Sequence, residues 1–87
     1  MMNYVYILLC NDGSWYTGWT TDPIKRFRQH KTGKGARYTK MHEPLKIIYL
    51  ESFEDKKDAM AREWHIKQMS RAEKEKLIFG SSIEKDC

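Results

Sequence analysis

The sequence predicts an α+β domain: a small three-stranded antiparallel sheet flanked by helices, in the order β-β-α-β-α-α. Three observations lead there. An apolar, β-prone run at residues 4–10 is followed by a turn and a second short run, WYTGWT, at 15–20. The pair Asp22-Pro23 is a helix start, with Asp as N-cap and Pro at the first helical position. A third strand-like segment, KIIYLESF at 46–53, precedes two further helical stretches. Eighty-seven residues suffice for one domain with one modest core of two packed layers, and a composition of 40% apolar and 32% charged residues is that of a globular chain.

Each element follows from its residues. The unbroken apolar run at 4–10 suits a strand covered on both faces. The first helix should run from Asp22 to about Lys31 and end at Gly33 and Gly35. The basic, glycine-containing loop GKGARYTKMHEP is long for a small domain, which marks it as a working loop. A second helix is expected from about Asp55 to Met69, and Ser70 with Glu73 forms a capping box for a third ending near Phe79. Residues 1–79 then form the single domain and 80–87 a flexible C-terminal tail. No repeat, low-complexity tract or linker interrupts it.

The run VYILLC is too short to span a bilayer, and no basic stretch precedes it as a secretory signal requires, so a cytoplasmic protein is expected. Cys10 in the apolar run and Cys87 at the end of the sequence make neither a disulfide framework nor a zinc ligand spacing, and read as structural thiols. Charge is unevenly placed. Between Pro23 and Lys46, eight Lys or Arg face one acid, Glu43, so this segment carries +7 while the rest of the chain carries −3. A basic segment on such a background favours a polyanion, because each phosphate contact releases counterions; the bland alternative is a merely soluble face.

Hairpin parity decides whether Tyr6 and Tyr16 are neighbours. A two-residue Asp12-Gly13 turn puts them on opposite faces. A three-residue loop, Asn11-Asp12-Gly13, with Gly13 left-handed, pairs Cys10 with Ser14, Leu8 with Tyr16 and Tyr6 with Gly18. Tyr4, Tyr6, Tyr16 and Thr20 then share one face, and Gly18 is expected to leave open space beside the Tyr6 phenol for a substrate group. On the first helix Arg26 and His30 are four apart, beside a stripe of Ile24 and Phe27. On the second, Glu63 projects between Ala59, Met60 and Ile66, inside the apolar stripe, where a carboxylate must be paired or bound to a metal. Its ordinary partner is Lys67 at i+4 or an arginine of the first helix; its functional one is Mg²⁺.

YVY at 4–6, YTG at 16–18, then Arg26, His30 and Glu63 in that order resemble the GIY-YIG nuclease domain, and most closely the small stand-alone UPF0213 group. The resemblance runs from Tyr4 to about Ile78, with Tyr4 standing where the family name has Gly. It implies hydrolysis of nucleic-acid phosphodiesters with one divalent metal, Mg²⁺ or Mn²⁺. Tyr6 matches the tyrosine of the first motif and Tyr16 that of the second; Arg26, His30 and Glu63 match the family's helix arginine, its neighbouring histidine and its metal-binding glutamate. In that mechanism Tyr6 helps deprotonate the attacking water, its phenol made more acidic by the metal and nearby cations, and Arg26 stabilises charge on the phosphoryl oxygens. Glu63 holds the metal, while Tyr16 and His30 position water or phosphate.

The chain carries no separate recognition domain, so low sequence specificity is expected. The grip should come from the basic loop, Lys31, Lys34, Arg37 and Lys40, with Tyr38 for stacking. The partners expected are nucleic acid, DNA rather than RNA, and a protein that delivers the domain; no membrane is expected. A metal-dependent endonuclease acting on structured or damaged DNA is one reading, and a non-catalytic or partner-dependent nucleic-acid-binding module the other.

Overall fold

Strands β1 (Asn3–Cys10) and β2 (Trp15–Thr20) are joined by the three-residue loop. A computed structural model describes residues 2–33 and 42–86. The Cys10 amide donates to the Ser14 carbonyl at 2.8 Å and the Gly13 amide to the Cys10 carbonyl at 2.9 Å. Gly13 has φ +84°, the left-handed region that a side chain disfavours. Asp12 rigidifies the turn by accepting from the Ser14 amide at 3.0 Å and the Ser14 hydroxyl at 2.6 Å. The register is the expected one, Leu8 opposite Tyr16, Tyr6 opposite Gly18 and Tyr4 opposite Thr20.

Helix α1 (Pro23–Lys31) begins at the Asp22 cap, whose side chain accepts from the Lys25 amide at 3.1 Å. It ends in bonds from the Thr32 amide to the Arg28 carbonyl and from Gly33, φ +79°, to the His30 carbonyl. The second expected terminator, Gly35, lies outside the described residues. Strand β3 (Pro44–Phe53) starts two residues before the predicted segment and pairs with β1, giving the order β2-β1-β3. Pro44 is tolerated because β3 is an edge strand that loses no inner hydrogen bond there. Helix α2 (Lys56–Gln68) is capped by Asp55, and α3 (Arg71–Asp86) opens with the capping box, Ser70 amide to Glu73 carboxylate at 2.9 Å and Glu73 amide to Ser70 hydroxyl at 3.2 Å. The α3 backbone continues past the expected end at Phe79 through Gly80, since a single interior glycine weakens a helix by about 1 kcal/mol without stopping it.

The sheet separates two environments. On one face Val5 and Ile7 pack with Ala59 and Ile66 of α2 and Ile78 of α3, ringed by Trp15, Trp19, Tyr49, Phe53 and Leu77. The other face carries Tyr6, Leu8 and Cys10, and α1 meets it through His30, which is 1% exposed. Burial pushes the Cys10 thiol up, as for an inert structural thiol. Two expected stripe positions are not core. Ile24 is 65% exposed because α1 touches the sheet at its C-terminal end, and Met60 is 45% exposed because α2 buries only the narrow line through Ala59 and Ile66. Arg71 fastens α3 to the hairpin: its Nη2 donates to the Gly13 carbonyl at 3.2 Å and its guanidinium lies 3.5 Å from the Trp15 ring centroid. Among the described residues no helix is long and apolar enough to cross a membrane.

The turn supplies the first prediction. Gly13→Ala meets no atom within 4 Å, so its penalty is conformational alone. A loss of about 1–2 kcal/mol is expected, lowering Tm by roughly 4–8 °C per kcal/mol in thermal unfolding; an unchanged Tm would remove the turn from its place in fixing the register.

Candidate active site

The hairpin register delivers the Tyr6 and Tyr16 rings to one face, 6.4 Å apart between centroids and tilted by 44°. His30 reaches them from α1, 5.9 Å from the Tyr6 ring and 5.2 Å from that of Tyr16. Tyr6 Oη and His30 Nε2 are 2.9 Å apart in a buried hydrogen bond. The expected open space at Gly18 is absent. A Cβ built there would stand 2.5 Å from Tyr6 Oη and 2.7 Å from Tyr6 Cζ, so the glycine is the seat of the Tyr6 ring and not a vacancy for substrate. An aromatic ring lying across a facing glycine shields backbone that a strand glycine leaves bare.

Arg26 lies one turn before His30 on α1, and its Nη1 donates to Gln29 Oε1 at 3.0 Å. Gln29 is a supporting residue that the sequence reading passed over; the i+3 spacing is the signal that marks it. The electrostatics of the cluster follow from burial. Desolvation pushes the Tyr6 phenol up to about 12, assisted by the charges of Tyr16 and Glu63, and the hydrogen-bonding Arg26 only partly offsets it. Arg26 pulls the phenol in the direction expected of nearby cations, but in the protein alone the loss of water outweighs it. Desolvation, with the Arg26 charge second, also pushes His30 down to about 4. Both rings are therefore neutral at pH 7. Arg26 is a donor only, so its share of the Tyr6 oxygen is as a donor, which leaves the phenolic proton for His30 Nε2.

Glu63 projects from α2 with 19% of its side chain exposed, near enough to Tyr6 for its charge to raise that phenol. Its Oε2 is 3.3 Å from Lys67 Nζ, the i+4 partner that spacing offers. Among the described residues no three His, Cys, Asp or Glu side chains converge as a metal cage. A single carboxylate beside phenols and an imidazole is unsuited to structural zinc. It fits Mg²⁺ or Mn²⁺, which keeps waters and takes one or two carboxylates plus substrate phosphate.

Of the expected phosphate contacts, Lys34, Arg37, Tyr38 and Lys40 lie outside the described residues. Lys31 is described, half-exposed, and pairs with Glu43 at 3.2 Å. Two further contacts escaped the sequence reading. His42 Nδ1 lies 2.6 Å from Asp12 Oδ2, and the Asn11 amide donates to the Glu43 carbonyl at 2.8 Å, so residues 42–43 are tied to the hairpin turn. On the opposite face Tyr49 and Arg62 both bond Glu51, at 2.6 and 3.1 Å. Of these pairings, only Tyr49 with Glu51, two apart on one strand face, has a local spacing that announces it.

The GIY-YIG catalytic domain profile matches residues 2–76 of this chain. A UPF0213 protein of Clostridium perfringens is 48% identical over 85 residues, covering 98% of this chain and 91% of its own length. One from the archaeon Halobacterium salinarum is 49% identical over 77 residues, covering 88% and 100%. Among solved structures, the solution structure of a UPF0213 protein from Bacillus halodurans superposes with a TM-score of 0.59 at 47% identity, covering 90% of this chain and 83% of that one. The solution structure of an E. faecalis protein superposes at 0.66 with 36% identity, covering 95% and 88%.

Two expected outcomes test this geometry. Gly18→Ala should displace the Tyr6 ring and cost about 1–3 kcal/mol from overpacking, seen in urea unfolding together with movement of the His30 imidazole NMR signals; a silent substitution would deny the glycine its role as a seat. The pH dependence follows from His30, which binds a proton near pH 6.5 when unfolded but only near 4 when folded. Its contribution to stability is complete above about pH 6.5 and is lost as pH falls toward 4, by about 3 kcal/mol. Urea unfolding of wild type and His30→Gln across pH 4–7 should show this component only in wild type; parallel profiles would refute it.

Proposed function

The chain belongs to the GIY-YIG catalytic-domain family, and from that premise we propose that it is a metal-dependent endonuclease hydrolysing phosphodiester bonds in structured or damaged DNA with low sequence specificity. The observation that carries the reading is the buried Tyr6–His30 hydrogen bond, with Tyr16 and Arg26 around it. Two rings with strongly shifted acidities in opposite senses are a poor way to stabilise a sheet, and suit a device that moves a proton.

In this mechanism Tyr6 Oη accepts a proton from the attacking water as it hands its own to His30 Nε2. Neither ring acts alone: Tyr6 is too weak an acid to rest as phenolate, and His30 is too weak a base to draw the proton unaided. An incoming phosphodiester brings negative charge beside His30 and so raises its proton affinity. Arg26, oriented by Gln29, donates to the phosphoryl oxygens as charge accumulates on them. Tyr16 borders the same space and positions water or phosphate. Glu63 would hold Mg²⁺ or Mn²⁺, which supplies Lewis-acid charge that acidifies the water and neutralises the phosphate. Delivery by a partner protein and a role in DNA repair or recombination belong to the same reading.

One observation favours the second reading, a nucleic-acid-binding module without turnover: Glu63 is engaged by Lys67. Cleavage of labelled single-stranded, duplex, flap and branched DNAs with Mg²⁺ or Mn²⁺ separates the two. Glu63→Gln should abolish cleavage and Arg26→Ala reduce it by about 10²–10³-fold, both with unchanged circular dichroism. Salt-sensitive binding by wild type with no cleavage in any arm would select the binding module.

A further inference from the structure

The three tryptophans are treated differently by the fold. Trp15 lies under the Arg71 guanidinium at 3.5 Å, and Trp19 has Lys56 Nζ 5.3 Å from its ring centroid; both rings flank the core. Trp64 does neither. It stands on α2 beside Glu63 with 60% of its surface exposed, touching His65 in a T-shaped contact at 5.3 Å. One step along the helix turns a side chain through about 100°, so Trp64 faces outward just beside the carboxylate. An indole left in water at that position adds little to the stability of the fold.

Its surroundings say what it suits. The helix neighbours three and four residues away are Met60, Ala61, Lys67 and Gln68, and none carries a negative charge. Met60 is exposed and extends the apolar area, while Lys67, half-exposed and ion-paired with Glu63 at 3.3 Å, is the nearest cation on the ridge. A flat aromatic face with a soft apolar neighbour and a cation, free of acids on its own ridge, complements a nucleobase and its phosphate. A continuous duplex cannot use it, because its bases are stacked on one another.

We infer that Trp64 is a stacking platform for an unpaired base next to the cleavage site, so that the substrate class is DNA with single-stranded character, such as a flap, gap or branch. The inference rests on the nucleic-acid reading above and deepens it. Trp64 selects substrate and takes no part in the chemistry.

The test is binding in EDTA, by fluorescence anisotropy, of a labelled single strand and the same sequence as a blunt duplex. Trp64→Ala should weaken single-strand binding by about 5- to 150-fold while duplex affinity stays within about twofold, and Trp64→Phe should keep most of the single-strand affinity. Equal losses on both DNAs, or no loss, overturn the inference; unchanged DNA affinity with a self-association lost in Trp64→Ala would assign this face to a second copy of the chain instead. Selective loss in a protein that cuts nothing with Mg²⁺ upholds the platform and rejects the nuclease. Full cleavage of flaps by Trp64→Ala does the reverse.

Discussion

The parity of one hairpin governs the site. Side chains along a strand alternate between faces, so adding or removing one residue between Cys10 and Ser14 would send Tyr16 to the side where Val5 and Ile7 form the core. The left-handed Gly13 prevents that, and the structure braces it from three directions: Asp12 takes both donors of Ser14, His42 meets Asp12, and Arg71 bonds the Gly13 carbonyl. The Ser14 hydroxyl and amide donors, with His42 assisting, pull the Asp12 carboxyl down to about 2, so the brace persists at any physiological pH.

With parity fixed, the two faces are assigned opposite tasks. One gathers the aliphatic and indole side chains with α2 and α3 and supplies most of the hydrophobic stabilisation. The other holds a phenol, an imidazole and a guanidinium under a single helix, where their desolvation opposes folding unless their hydrogen bonds are met. The Tyr6–His30 bond meets them between two rings that burial keeps neutral. The cluster is therefore at rest in the free protein, and charge has to arrive with a ligand to set it working.

Much of this was legible in the sequence because it depends on short-range rules. Asp22-Pro23, Ser70 with Glu73, and the alternation around Gly13 each name a backbone geometry within a few residues, and each is realised. The order of Tyr6, Tyr16, Arg26, His30 and Glu63 was legible as well, and the sheet and α1 gather the first four around one hydrogen bond. What failed was inference about who fills a space. Gly18 looked like a vacancy because pairing tables record the partner strand and not the rotamer of a ring lying across it. Ile24 and Met60 looked like core because helical periodicity gives a direction without the angle at which a helix meets a sheet. The Arg62–Glu51 and Asp12–His42 pairs join different elements across the fold, so no spacing rule reaches them.

The position of Glu63 joins the two halves of the molecule. It belongs to the helix that seals the hydrophobic face, yet its charge is felt by Tyr6 on the opposite one. Gly18 on the edge strand β2 gives the Tyr6 ring its place, and a bulkier residue there would displace that ring. The glycine of the second motif is explained by this steric demand, since its neighbours crowd any Cβ while Gly13 and Gly33, which have the positive φ angles, have open space around them.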